Sequence, residues 1–274
     1  MRKLKKITAL ALAGVCLTAC GGGKSAAPTE YSTDEILSAS RYDVNKYVKL
    51  CPLDNIKITV TGDYDVTDQK VTQYIDSTLS SKKPKTTASK LTDTYVKRYL
   101  GYDSVKKYRD AVKANIASSM KQQKVTATST TLISYLKSHS KIEIPSGYTT
   151  ELAKNDFNTH KQLAKDYKMP FKKYISTYYN QKSEKAFLDY LAQSEENTAK
   201  ENLACQALIK ESKTTVTKKE FSNFVKQYVK TSNTSEKAFY KKYGGKKKVI
   251  LSYAQNKAIV NLSHKVKVTY KKTV

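Results

Sequence analysis

Tryptophan is absent from this 274-residue chain, and histidine (three), glycine (nine) and acidic residues (24) are scarce. Each shortage excludes something. His139, His160 and His264 stand far apart, and no two have the spacing of metal ligands. No Cys–His pair, GxSxG elbow or glycine-rich phosphate loop occurs, so the usual nucleophilic and phosphate-handling sites are missing. Glu195 and Glu196 are adjacent and so face different sides of a helix, which is poor geometry for paired-carboxylate catalysis. The composition therefore points away from an enzyme and requires no cofactor or metal. Scarce glycine with 27% charged residues favours long amphipathic helices over a compact sheet protein.

What is abundant is positive charge, with 50 Lys and Arg and a net charge of +26. The first residues say where that charge acts. Arg2, Lys3, Lys5 and Lys6 precede an uncharged apolar run, Ile7 to Leu17. The run is shorter than the ~20 residues of a spanning helix and fits the core of a secretory signal. Leu17-Thr18-Ala19-Cys20, followed by three glycines, looks like a bacterial lipobox, with residues 1–19 removed and Cys20 lipidated. No later run approaches 18 apolar residues, so this lipid is the expected membrane attachment. The mature chain would keep 46 basic against 24 acidic residues, a net +22. An exported protein rarely meets nucleic acid, so lipid headgroups and anionic cell-wall polymers are the expected polyanions. Cys51 and Cys205 remain, either as a disulfide or as two buried thiols.

Along the chain, residues 20–40 are rich in Gly, Ser, Ala, Pro and Thr and read as a flexible tether. Ile56, Ile58 and Val60 alternate with polar residues as a one-sided strand. Thr67-Asp68 offers an N-cap for a helix carrying Val71, Ile75 and Leu79. Residues 82–90 lie in a polar linker, and from Leu91 the helical period dominates. Asp103 or Ser104 is positioned to cap a helix running on to Leu136, broken before Pro145. Helices then follow from near Ser146, from Phe171, from Ser183 to Glu211, after the capping box Thr217-Lys-Lys-Glu220, and after Gly244-Gly245. Val266 to Tyr270 closes as a second alternating strand. The fold class expected is mainly α, with a short β element near each end.

The segments YVKL, NIKITV and DVTDQKVTQYIDSTL resemble the arm of bacterial trigger factor, here residues 41–81. YLGYDSVKKYRDAVKANI, KSHSKIEIPSGYTTELAKNDF, MPFKKYISTYYNQKSEKAFLDYL and ESKTTVTKKEFSNFVKQYV resemble its C-terminal helical chaperone domain, of the SurA-like class, here residues 91–274. The resemblance implies an elongated, multi-helix body. Trigger factor's ribosome-binding module is missing, and residues 82–90 are too short for its FKBP-type isomerase domain, since a globular domain needs at least roughly 40 residues. The implied activity is an ATP-independent holdase at the outer face of the membrane, binding unfolded or newly exported polypeptides through exposed aromatic patches. Tyr suits such a surface, having an apolar ring and a polar tip. The candidates are Tyr174, Tyr178 and Tyr179 in one cluster and Phe224 and Tyr228 in a stripe. The rival reading is a structural or adhesive lipoprotein that binds anionic surface polymers or membrane through its charge.

Overall fold

The computed structural model describes residues 29–82 and 84–272. The signal segment, Cys16 and Cys20 lie outside the described residues. In chain order the elements begin β1 (Glu30–Tyr31), α1 (Thr33–Leu37), β2 (Val48–Lys49), β3 (Lys57–Thr61), α2 (Asp68–Leu79), α3 (Asp93–Tyr95) and α4 (Val105–His139). They continue β4 (Lys141–Ile142), α5 (Tyr148–Asp166), α6 (Phe171–Tyr179), α7 (Glu184–Ser194), α8 (Glu196–Glu211) and β5 (Val216–Thr217). The last are α9 (Lys218–Thr231), α10 (Glu236–Lys242), α11 (Lys246–Ser263) and β6 (Lys267–Lys271). The fold is mainly α, and the described strands form three two-stranded sheets.

The chain divides into two compact units, and the division is not the sequential one of arm, linker and helical domain. Among the described residues, those within 57–130 together with 268–272 form the smaller unit, and 29–56 with 131–267 the larger. Residues 41–56 of the expected arm therefore belong with the helical body, while 91–130 and the terminal strand belong with the rest of the arm.

In the smaller unit β3 pairs with β6, and Gly62 N–H donates to the Lys271 carbonyl at 2.9 Å. Ile58 and Val60 point inward from β3 while their neighbours face solvent, as the alternation requires. Thr67 Oγ1 accepts from Lys70 N–H at the start of α2, satisfying one of the helix's free donors. Val71, Ile75 and Leu79 then recur every four residues on one buried face, packed with Val96, Tyr108, Val112 and Ile116. The connection after α2 is not a free linker throughout. Asp76 Oδ1 accepts from Ala88 N–H at 2.6 Å, and Ala88 is buried in the same cluster. A π-helical turn, Val96–Leu100, ends at Gly101, whose positive φ of 75° suits a residue without Cβ. Ser104 is the cap of α4, its Oγ accepting from Lys107 N–H.

In the larger unit α8 is the central helix: Ala199 and every residue from Asn202 to Ile209 are buried. It packs on α11, which buries nine residues from Val249 to Leu262. Each fully buried Leu or Ile in this interface contributes about 1.5–3 kcal/mol relative to exposure. The tether expectation fails over residues 30–37. Tyr31 pairs with Val216 and Glu30 with Thr217, antiparallel, and α1 packs its buried Ile36 against α8 and α11. A second small ladder joins Val48 to Ile142 and Lys49 to Lys141. The helix foreseen from Ser183 to Glu211 is two helices. Ser194 Oγ donates to the Leu191 carbonyl, and Glu195 (ψ 0°) separates α7 from α8. The break lets α7 serve one apolar cluster while α8 serves another. Thr217 Oγ1 accepts from Glu220 N–H as the capping box requires, but the Glu220 carboxylate is held by Lys257. Helix α10 was not foreseen. Its seven residues carry too little periodicity to announce a helix, although Ser235 Oγ caps it by accepting from Ala238 N–H.

Candidate functional site

Helices α5 to α7 of the larger unit carry the densest group of aromatic rings. Helix α5 stops at Tyr167, and Lys168 takes a left-handed conformation (φ 52°) that turns the chain before Pro170 starts α6. Helix α6 ends at Asn180, also left-handed, and Ser183 Oγ accepts from Ala186 N–H to begin α7. These two tight turns bring three helices around Phe187, which is wholly buried. Its ring lies 4.9 Å from Tyr179, 6.0 Å from Phe157 and 6.0 Å from Phe171. Such edge-on and tilted ring pairs contribute about 0.5–1.5 kcal/mol each beyond the area they bury.

His160 sits against this group. Its Nδ1 lies 3.0 Å from the Tyr174 hydroxyl and 3.4 Å from that of Tyr179. Burial holds the imidazole pKa below its ordinary value, opposed by the Asp156 charge. Burial likewise pushes the Tyr174 phenol up, helped by its hydrogen bond with Tyr179.

The five aromatic residues foreseen for binding have separate fates. Tyr174 (3% exposed) and Phe224 (3%) are core residues and offer no surface to a ligand. Tyr174 is roofed by Phe171, Tyr167 and Tyr178, and Phe224 is enclosed by Tyr253 and Phe239. Tyr179 is half-buried against Phe187. Tyr228 is half-buried too, its ring 4.5 Å from Phe239 and its hydroxyl 2.7 Å from that of Tyr243. Tyr178 alone of the five stands out, at 57% exposed. No ring contact among the described residues links the α6 group to Phe224 and Tyr228.

Two tyrosines that sequence reasoning did not select complete the surface. Tyr167 is 60% exposed and lies 6.2 Å from Tyr178; Tyr190, on α7, is 46% exposed and lies 6.3 Å from Tyr179. The exposed row Tyr167, Tyr178 and Tyr190 is thus backed from beneath by Tyr174, Tyr179 and Phe187. The available signal for Tyr167 was its place beside the Lys-Met-Pro break, where a helix face runs out of partners. The arrangement offers fixed apolar faces with hydroxyl tips, suited to side chains of varied shape.

The smaller unit has its own tyrosines. Tyr95 and Tyr99 lie 4.8 Å apart, and Tyr74 and Tyr99 are exposed. Lys124 Nζ lies 3.8 Å over the ring of Tyr270.

Cys51 and Cys205 are both free thiols, so the disulfide alternative does not hold. Cys205 is buried in α8, which raises its pKa and removes thiolate character. Among the described residues no group of three or more His, Cys, Asp and Glu could hold a metal ion. Nor is any described helix long and apolar enough to cross a membrane.

A family described as the bacterial trigger factor protein (TF) C-terminus matches residues 104–263. That stretch includes all of α4 to α11. No curated protein matches the chain significantly.

Proposed function

We propose that this chain, which belongs to the bacterial trigger factor C-terminal family, is a lipid-anchored holdase that binds unfolded exported polypeptides outside the cytoplasmic membrane. The family domain supports a chaperone-like role and the binding of nascent or unfolded chains. The observation that carries the reading here is the exposed row of Tyr167, Tyr178 and Tyr190 on one connected layer of rings, since exposed aromatic patches on soluble proteins mark binding sites. A holdase of this kind needs no ATP and no catalytic group. Isomerase activity is not part of the proposal, because only residues 80–92 separate α2 from α3, too few for a further globular domain.

The decisive experiment is suppression of aggregation of a chemically unfolded model protein. Suppression near equimolar ratio is expected, without ATP, together with unaccelerated proline-limited refolding. Failure to suppress at a stoichiometric excess overturns the proposal.

The membrane address rests on residues 1–20, with Cys20 as the lipidated residue. Two acyl chains, at about 0.8 kcal/mol per buried methylene, hold a protein that one chain would release. Cys20→Ala is expected to release the protein or block its processing, and a processed, membrane-retained mutant overturns this part.

A second reading is favoured by one observation. Residues 237–248 hold six lysines and no acid, a density suited to anionic cell-wall polymers or headgroups. Polyanion binding that falls steeply with salt, with no preference for unfolded over folded protein, would select it.

A further inference from the structure

The surface around Tyr167 and Tyr178 carries charge as well as rings. Residues 165–182 contain five lysines (165, 168, 172, 173 and 182) and one acid, Asp166. All five lysines are exposed, and none forms an ion pair with another described residue. Two acids of α7 are paired with other lysines, Glu184 with Lys161 at 2.8 Å and Asp189 with Lys185 at 2.8 Å, while Asp166 accepts from the neutral Gln162 amide at 3.0 Å. A helical corner therefore holds five ammonium groups against the single carboxylate of Asp166, a surplus of positive charge in which neighbours repel one another. Between them the rings of Tyr167 and Tyr178 lie 6.2 Å apart, each resting on Tyr174 below.

We propose that this corner, residues 165–182, selects unfolded segments that combine acidic with aromatic side chains. The inference rests on the polypeptide-binding reading above and adds which polypeptides are taken. Carboxylates of the bound segment supply the counter-charge that the five lysines lack, and its rings lie against the tyrosine faces. Each contact is exposed and individually weak, so binding is fast and salt-sensitive, as release of a client requires. A polypeptide fits better than a bilayer. The large apolar side chains exposed among the described residues are all tyrosines, whereas a membrane-lying face shows Leu, Phe or Trp.

The test titrates three labelled, unstructured peptides into the whole protein. They share length and aromatic residues and differ in carrying Glu, Gln or Lys at the remaining positions. The Glu peptide is expected to bind about tenfold more tightly than the Gln peptide, and the Lys peptide most weakly, with the order collapsing near ~0.5 M salt. The triple variant Lys168→Gln, Lys172→Gln, Lys173→Gln is expected to weaken the Glu peptide to about the affinity of the Gln peptide, so that the order is lost. The pair Tyr167→Ser, Tyr178→Ser is expected to weaken all three peptides while keeping the order. Because every substituted residue is exposed, an unchanged thermal midpoint will show that the variants fold.

Equal affinity for the three peptides overturns the charge selection and leaves the chaperone reading standing. An order that survives the triple lysine variant overturns the assignment to this corner. No peptide binding, by protein that also fails to suppress aggregation, overturns both. Vesicles of phosphatidylglycerol and phosphatidylcholine bound more tightly than the Glu peptide overturn it in favour of a lipid surface.

Discussion

Within the larger unit, α8 with α11 and α5 with α6 and α7 bury apolar side chains in opposite ways. The first pair is aliphatic and closed, with Leu203, Leu208, Ile209, Ala254 and Ile259 at 0–1% exposed. Even its polar groups turn inward: Gln255 Nε2 donates to the Asn202 carbonyl at 3.2 Å. The three-helix group is aromatic and open, a layer of rings whose inner members are buried and whose outer members are half in water. Branched aliphatic side chains fill an interior from all sides, and flat rings can be packed on one face and offered on the other. The first group supplies stability, and the second keeps apolar surface available without losing its shape.

The largest expected effect breaks the open group from beneath. Phe187→Ala should cost about 3–5 kcal/mol locally, because a wholly buried ring is removed from beneath Tyr179 and Tyr190. Hydrogen exchange should show α6 and α7 losing protection while α8 and α11 retain theirs, and uniform loss would contradict the separation of the two groups. Leu203→Ala strikes the closed group and should cost about 2–5 kcal/mol, read as a lower denaturant midpoint for the whole unit.

A smaller effect follows pH. The folded pKa of His160 lies below its ordinary 6.5, so the unfolded chain takes up the proton first as pH falls. The stabilising contribution is therefore complete above about 6.5 and is lost as pH drops toward the folded pKa. Thermal midpoints should fall on acidification from pH ~7.5 to ~5.5, and His160→Gln should flatten that slope; an unchanged slope would sink the assignment. Smallest in stability is Tyr190→Ser, expected within about 0.5 kcal/mol of the parent yet weaker in suppressing aggregation. Undiminished suppression would remove Tyr190 from the binding row.

These contrasts mark how far sequence reasoning reached. Caps and periods were legible at Thr67, Ser104, Ser183 and Thr217 because each depends on residues three or four positions away. The fold of residues 30–37 was not, because Thr33 Oγ1 finds its acceptor at the Thr214 carbonyl, 181 positions along. The two-unit division escaped for the same reason, since β6 returns to β3 from the far end of the chain. The site was half legible. Tyr174 and Tyr178 are one helical turn apart and identical in type, so periodicity could not tell the buried ring from the exposed one. That difference is set by where α5 and α7 end.

The pairing of Glu30 and Tyr31 with β5 also sets a length. With a lipid on Cys20, ten residue steps would separate the bilayer surface from the first clamped residue, a leash of at most about 35 Å. A protein so tied would patrol a thin layer beside the membrane, where the chains within its reach would be those just leaving it.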